Sequence, residues 1–320
     1  MSELPVVHLL CPTHNGAAFL PTFLASVQRQ THTAWTLWVL DDHSSDHSAD
    51  IVHDAAQDDP RVRVLPRTPQ RLGAVGAFAH LWAQLPADAA YIGFADQDDV
   101  WYPEKLAVTL EALQRAEAGT TRPVLVHTDL QVVGPQLEPI APSYWAHAGI
   151  HPEPATLRRL ATQNVVTGCT MLLNRALYDA VGPIPAGATM HDAWVACAAA
   201  AMGEIIALPH PTVQYRQHDT NTLGARQAVD TRPLLHMLPR LWNALTDHGT
   251  VRRQIAATAT QAALLLRQYG AQLGDADGAF LRAYAQIPTM SWWRRKRAVA
   301  QMHLHGEHGW LRNAGIVWRA

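Results

Sequence analysis

A strand-then-helix rhythm runs through the first hundred residues and constrains the fold more than any other feature of this chain. Val6 to Leu10, Trp35 to Leu40, Arg61 to Leu65 and Tyr91 to Ala95 are short runs of strand length. Stretches of helical period separate them. Phe19, Leu20, Phe23, Leu24 and Val27 recur on one face, and Ile51 to Ala56 and Gly76 to Leu85 continue the pattern. Strand, helix, strand in this order implies a mainly parallel sheet with helices on both faces. Polar clusters at 11–16, 41–46 and 96–99 follow three of the strands directly. Ligands of such sheets bind beyond the carboxyl ends of the strands. The three clusters should therefore share one edge and face one crevice.

The last cluster carries the most chemistry. Asp96-Gln97-Asp98-Asp99 follows the apolar run Tyr91-Ile92-Gly93-Phe94-Ala95 and precedes Val100-Trp101. Carboxylates crowded at a strand end repel one another unless a cation shares them. Mg²⁺ and Mn²⁺ prefer such oxygen ligands and hold a substrate diphosphate at the same time. Asp96 and Asp98 form an Asp-x-Asp pair. The alternative is a polar loop capping the next helix, with Pro103 near its first turn.

The second half is mixed. Val124 to Val133 and Cys169 to Leu173 read as strands, Ala193 to Ala201 as a helix, and Ile205 to Leu208 and Thr212 to Arg216 as two short strands. Beyond about residue 230 the pattern turns helical, with Val251 to Gln268 and Phe280 to Gln286, before a basic, tryptophan-rich end.

With 320 residues, 48% hydrophobic and 16% charged, the chain is globular rather than disordered and long enough for one or two domains. A net charge of -2 gives no argument for nucleic acid. Cys11, Cys169 and Cys197 are widely spaced, which fits neither a disulfide framework nor a zinc pattern and suits a reducing compartment. The first residues lack the basic segment and apolar stretch of a signal peptide, and no apolar run reaches membrane-spanning length. The chain is therefore expected to be cytoplasmic. His43 with His47, and His303, His305 and His308, have no cysteine partners and read as solvated surface histidines.

Five segments occur in the order found in inverting glycosyltransferases of family 2. They are Cys11-Pro12-Thr13-His14-Asn15-Gly16, Asp41-Asp42-His43-Ser44-Ser45-Asp46, Arg71 to Phe78, Ala95 to Trp101, and a distal block with Met190-His191-Asp192-Ala193-Trp194 and Tyr215-Arg216-Gln217-His218-Asp219-Thr220-Asn221. Over residues 6 to about 225 the chain resembles that family, and most of all its rhamnosyltransferase-like members that build bacterial surface polysaccharides. The resemblance implies a GT-A, Rossmann-like, mainly parallel sheet flanked by helices. It implies a glycosyltransferase domain over 1–228, with a nucleotide-binding half (1–100) and an acceptor half (101–228), followed by a helical region over 229–320. The family usually has asparagine at both Arg71 and Ala77. Arg71 keeps a donor that could meet the base or diphosphate, whereas Ala77 removes a polar group.

The resemblance also assigns roles. Asp98 is the direct ligand of Mn²⁺ or Mg²⁺, Asp96 meets the ribose or the metal through water, and Asp99 is a third member. His218 approaches the metal and diphosphate. Thr13, Asn15, Asp41 or Asp42, Arg71 and Gln97 belong to the nucleotide-sugar site, where a carboxylate could accept the imide N–H of uracil or thymine. For Asp41 and Asp42 the alternative is capping around Ser44, Ser45 and Asp46, and for Thr13, Asn15 and Gly16 a plain turn. Asp192 is the general base, at a helix start whose dipole favours the ionised form; it could also only cap that helix. Gly168 and Cys169 floor the acceptor side, and Cys169 reads as an inert thiol rather than a nucleophile. His191 either packs, caps or meets the acceptor. Trp194, like Trp101 and Trp145, either stacks on a sugar or packs in the core. Arg216 clamps the diphosphate or a loop, or pairs at the surface.

The implied partners are a dTDP- or UDP-linked sugar and a glycan or lipid-linked acceptor. Ser291-Trp292-Trp293-Arg294-Arg295-Lys296-Arg297 (291–297) is either a peripheral contact with the inner face of the cell membrane or a solvated helix packed through its tryptophans. A nucleotidyltransferase would need a phosphate loop that is not evident here. A silent carbohydrate-binding module would leave the carboxylates unexplained.

Overall fold

The computed structural model describes residues 4–218 and 248–302. Its frame is a nine-stranded sheet. β1 (Val7–Thr13), β2 (Trp35–Asp41), β3 (Val62–Val64) and β4 (Tyr91–Phe94) are parallel, in the spatial order β3-β2-β1-β4. α1 (Leu20–Gln28), α2 (Ser48–Asp58) and α3 (Gly73–Ala83) connect them. Six of the seven residues of β1 are buried, as expected for a parallel strand covered on both faces. Its side chains alternate between two cores. Leu10 joins Leu40, Phe78, Trp82 and Phe94, while Leu9 and Cys11 join Phe23, Leu37 and Val39.

The chain continues through β5 (Val100–Trp101), α4 (Lys105–Glu117), β6 (Val124–Val133), β7 (Pro139–Ala141), α5 (Tyr144–Ala148) and α6 (Leu157–Thr162). β8 (Leu172–Asn174), α7 (Arg175–Val181), α8 (His191–Met202) and β9 (Glu204–Arg216) follow. β8 is antiparallel to both β4 and β6, and β9 runs parallel to β6 and antiparallel to β5. The sheet is thus parallel in its first half and mixed beyond β4.

Three expected strands differ. Gly168–Thr170 is a 3₁₀ turn, and the strand begins only at Leu172. The Thr170 hydroxyl donates to the Thr167 carbonyl at 2.7 Å and the Met171 amide to the Gly168 carbonyl at 3.0 Å, which closes the turn. The two short strands after 204 are one strand, β9. Its register against β6 slips where Leu208 pairs with Thr128 and Pro211 with Asp129, because prolines at 209 and 211 supply no ladder donor.

α9 (His248–Tyr269), α10 (Asp275–Ala285) and α11 (Trp292–Gln301) complete the described part. α9 packs on α6 and α8, and Ala262, Leu265, Tyr269, Leu281 and Tyr284 enter the core that holds Trp194 and Cys197. Among the described residues no helix is long and apolar enough to cross a membrane. Asp219, Thr220, Asn221 and the histidines at 303, 305 and 308 lie outside the described residues.

Candidate active site

Parallel register brings the three polar clusters to one edge. Thr13 ends β1 opposite Asp41 at the end of β2, and the Ala95 amide after β4 donates to the Leu10 carbonyl at 2.9 Å. Gln97 joins the acidic loop to the turn after β1. Its amide oxygen accepts from the Thr13 hydroxyl and from the His14 amide at 3.0 Å, and its amide nitrogen donates to the His14 carbonyl at 3.0 Å. A Cβ at Gly16 would fall 2.1 Å from the Gln97 amide oxygen and displace that side chain from its bonds to Thr13 and His14. Asn15, in the left-handed region at φ 49°, accepts the Ser45 amide at 2.8 Å and so ties this turn to the loop after β2.

Asp41 and Asp42 are both buried and both partnered. Asp41 accepts from the Arg67 guanidinium, with Nε at 3.1 Å, and weakly from the Ser44 amide. Asp42 accepts the amides of Leu72 at 2.7 Å and Gly73 at 2.8 Å, which secures the start of α3 from outside that helix. The capping alternative therefore applies to Asp42, but at α3. At the start of α2 the cap comes from Asp46, whose carboxylate accepts the Ser48 amide at 3.0 Å. Arg71 extends outward with Nε 3.8 Å from Asp42. Ala77 is buried among the aliphatic and aromatic side chains packed around α3. Arg67 had no distinctive sequence context, and only its contact with Asp41 marks it.

The acidic loop is differently placed. His218 Nε2 lies 2.8 Å from Asp98 Oδ2, and the His218 ring stacks on Phe19 with centroids 4.5 Å apart. Arg216 is the loop clamp. Its Nε donates to the Asp98 carbonyl at 2.8 Å, its Nη1 to the Pro135 carbonyl at 2.6 Å, and its backbone amide to Asp99 Oδ1 at 3.2 Å. Asp99 is fully buried and its Oδ2 has no hydrogen-bond partner. Burial, followed by the charges of Asp98 and Asp96, pushes the Asp99 carboxyl well above its usual range. Burial, then Asp98 and then Asp192, raises Asp96 to about 7. Lys105, 1% exposed, sits with Nζ 4.4 Å from the Trp101 ring centroid; burial lowers it to about 8 while Asp99 acts in the opposite sense. Nothing in the local sequence distinguishes Lys105, and Phe19 follows the helical period of the segment that becomes α1.

The donor set fits a hard divalent cation. Ligand atoms of Asp96, Asp99 and Cys169 lie within 4.8 Å of one another. Burial pushes the Cys169 thiol well up, so it stays protonated and is a poor ligand. Asp96 and Asp99 remain as the oxygen donors of that cluster, and Asp98, between them in the sequence, adds a carboxylate that meets the His218 imidazole at 2.8 Å. The Asp99 carboxyl has one buried oxygen without a partner, and a nearby cation would favour the ionised form that burial disfavours.

Asp192 approaches the same crevice from the first turn of α8. Its Oδ1 accepts the Ala193 amide at 2.6 Å and its Oδ2 the Gly168 amide at 3.1 Å. Burial outweighs these bonds and the helix dipole, and raises the carboxyl to about 6. Gly168 makes the approach possible, since a Cβ there would sit 2.9 Å from His191 Nε2 and 3.3 Å from Asp192 Cβ. The side chains of His191 and Trp194 are both buried, that of His191 beside Gly168. His191 is 4% exposed and stacks on Phe78 at 3.5 Å between centroids, with burial lowering it to about 3. Trp194 is fully buried, 5.6 Å from Tyr269 between ring centroids. Trp101 and Trp145 are core residues as well.

Relatives match this arrangement in sequence and in shape. A glucosyltransferase of Escherichia coli, UDP-Glc:alpha-D-GlcNAc-diphosphoundecaprenol beta-1,3-glucosyltransferase WfgD, is 31% identical over 108 residues, 34% of this chain and 41% of the relative. The dTDP-rhamnosyl transferase RfbG of Shigella flexneri is 28% identical over 103 residues, 32% of this chain and 36% of the relative. The match thus spans about two fifths or less of these relatives' own lengths. Among solved structures, S. aureus TarS 1-349 in complex with UDP-GlcNAc superposes with a TM-score of 0.54 at 13% identity, over 98% of this chain and 89% of that one. The mannosyltransferase PcManGT of Pyrobaculum calidifontis, in complex with GDP-Man and Mn²⁺, gives 0.54 at 16% identity, over 98% and 79%. At those identities the structures establish a shared fold, the GT-A arrangement. The family model described as Glycosyl transferase family 2 matches residues 9–180, more than half of the chain. This chain belongs to glycosyl transferase family 2.

Proposed function

We propose that this protein is a metal-dependent inverting glycosyltransferase of bacterial surface-polysaccharide synthesis. It moves a hexose from a dTDP- or UDP-linked donor to a hydroxyl of a glycan or lipid-linked acceptor. Rhamnose is the donor sugar that the sequence resemblance favours, and the Shigella relative's name agrees with it. The observation that carries the reading is the convergence on Asp96. Its carboxyl lies in one cluster with the Cys169 thiol, and Gly168, next to Cys169 in the chain, gives its amide to Asp192 at 3.1 Å, which supports placing the acidic loop and the base in one crevice.

The division of labour follows from that placement. Thr13, Asp41, Asp42, Arg71 and Gln97 border the pocket for the base and ribose. Asp98, Asp96 and His218 would hold Mn²⁺ or Mg²⁺, whose charge when bound stabilises the departing diphosphate. Asp192 takes the proton of the acceptor hydroxyl as its oxygen bonds to the anomeric carbon and the carbon–phosphate-oxygen bond breaks. One base and one displacement, with attack opposite the leaving group, give inversion. A retaining route would ask for a nucleophilic carboxylate at the anomeric carbon, and the carboxylates here are assigned to the metal, the base and loop anchoring.

Calorimetry with UDP and dTDP, with and without Mn²⁺, tests this reading. Wild type should bind only with the ion, and Asp98→Asn should lose that dependence while melting as a folded protein. Unchanged Mn²⁺-dependent binding by Asp98→Asn would overturn the metal assignment. Absence of donor hydrolysis or transfer by the wild type with every nucleotide sugar tried would favour the silent module.

A further inference from the structure

The N-terminal end of α11 has a surface that sugar transfer does not use. It reads Trp292-Trp293-Arg294-Arg295-Lys296-Arg297, with four consecutive cations and no acidic residue. Trp292 is 40% exposed and Trp293 75%, the only adjacent pair among the large exposed hydrophobic side chains of the described residues. The two indoles meet edge to face at 4.2 Å, and Lys296 Nζ stands 3.9 Å from the Trp292 ring centroid. Farther along, Ala298 and Met302 pack against the core, which anchors the helix and leaves its tryptophan end outward.

A cavity of about 180 Å³ lies beside this end, lined by Arg252 of α9, Ile255, Ala256, Pro288 and Arg295. Two guanidinium groups thus overlook an apolar floor, and no acidic side chain is in the lining. Arg295 Nη2 donates to the Met290 carbonyl at 3.1 Å, which fixes the side chain at the cavity wall. The guanidinium fork matches phosphate oxygens, and the apolar floor suits the carbons next to a phosphate ester. Indole rings prefer the boundary between headgroups and acyl chains, and clustered cations prefer an anionic leaflet.

We propose that this corner docks on an anionic lipid bilayer. A headgroup phosphate enters the cavity between Arg252 and Arg295, and Trp292 and Trp293 enter the interface. Positive charge, an exposed indole pair and a phosphate-sized recess lie together where the start of α11 meets α9, and a bilayer engages all of them at once. The inference is independent of the transfer chemistry, since none of these residues borders the crevice.

Co-sedimentation of the full chain with phosphatidylcholine vesicles, with and without phosphatidylglycerol, tests it. Wild type should bind only the anionic vesicles. Binding should weaken as added salt shortens the screening length from about 10 Å at 0.1 M to about 3 Å at 1 M. Each cation near such a surface contributes about fivefold, so the double variant Arg252→Gln with Arg295→Gln should bind at least about tenfold more weakly. Trp292→Ser with Trp293→Ser should also release the protein at unchanged charge. Melting and Mn²⁺-dependent UDP binding should match wild type in both double variants, which separates this result from failure of the proposed reaction. No binding at low salt, equal binding to neutral vesicles, or wild-type binding by the arginine variant would each overturn the proposal. So would calorimetric binding of inorganic phosphate without vesicle binding, which would assign the cavity to a soluble anion.

Discussion

The two sides of the crevice use the same residue type for opposite ends. On the nucleotide side, the carboxylates of Asp41 and Asp42 are occupied by Arg67 and by the amides of Leu72 and Gly73. They hold loops in place before any ligand arrives. On the side proposed to hold the metal and acceptor, Asp99 has a buried oxygen without a partner, and burial raises Asp96 to about 7 and Asp192 to about 6. Those groups keep an electrostatic deficit that a cation or a transferred proton relieves. Strained electrostatics confined to one side of a cleft is a mark of chemistry rather than of scaffolding.

The largest expected effect lies at Asp192. Asp192→Asn should lower transfer about 10²–10⁴-fold, the range for a lost general base, with donor affinity retained. Transfer within a few-fold of wild type would reduce Asp192 to a helix cap and erase the contrast between the two sides. Wild type should also show an acid limb. Because the base must be ionised and its carboxyl titrates near 6, kcat/KM should fall with decreasing pH through that value, about tenfold per unit below it. The limb should be absent from the residual activity of Asp192→Asn. Donor binding measured over the same range separates this limb from the proton on Asp96, which competes with the cation.

His218 comes next. His218→Ala should weaken UDP by about tenfold, the scale of a lost charge-assisted contact, and leave uridine within a few-fold. The expectation rests on its 2.8 Å approach to Asp98. Equal loss for both ligands would mean that removing the ring from Phe19 damages the whole crevice, since the two stack at 4.5 Å.

The sequence made the edge legible because hydrophobic period and strand length are local properties. Thr13, Asp41 and Asp96 could be placed together from β1, β2 and β4 alone. It also located Asp192 at a helix start, since an apolar run follows it directly. What it lacked were contacts across long stretches of chain. Arg67 with Asp41, Gln97 with His14, and Arg216 with Pro135 each join segments whose pairing no periodicity encodes. Trp194 and His191 show the converse. Aromatic and imidazole groups look functional next to an aspartate, but the Cα–Cβ directions of α8 bury both, His191 against Phe78 and Trp194 near Tyr269, which the sequence alone does not show. The 3₁₀ turn at Gly168–Thr170 was hidden because its residue types suit a strand equally well.

The smallest expected effect compares the stability of the two sides directly. Asp42→Ala removes the acceptor of two amides at 2.7 and 2.8 Å and should cost about 1–2 kcal/mol, typical for a lost cap with buried donors left behind. Asp42→Asn keeps one acceptor oxygen and should cost about half as much. Asp99→Asn keeps the oxygen that accepts the Arg216 amide and replaces a buried carboxyl whose ionised form burial disfavours and whose other oxygen has no partner. Without ligand or metal its stability should stay within about 0.5 kcal/mol of wild type or rise, because the destabilising term disappears. Denaturant midpoints at equal m-value read both changes, and calorimetry with Mn²⁺ and UDP reads the function lost with them. If Asp99→Asn unfolded as readily as Asp42→Ala, the buried carboxylate would be a structural member like its counterparts across the crevice, and the contrast would fail at its most buried residue.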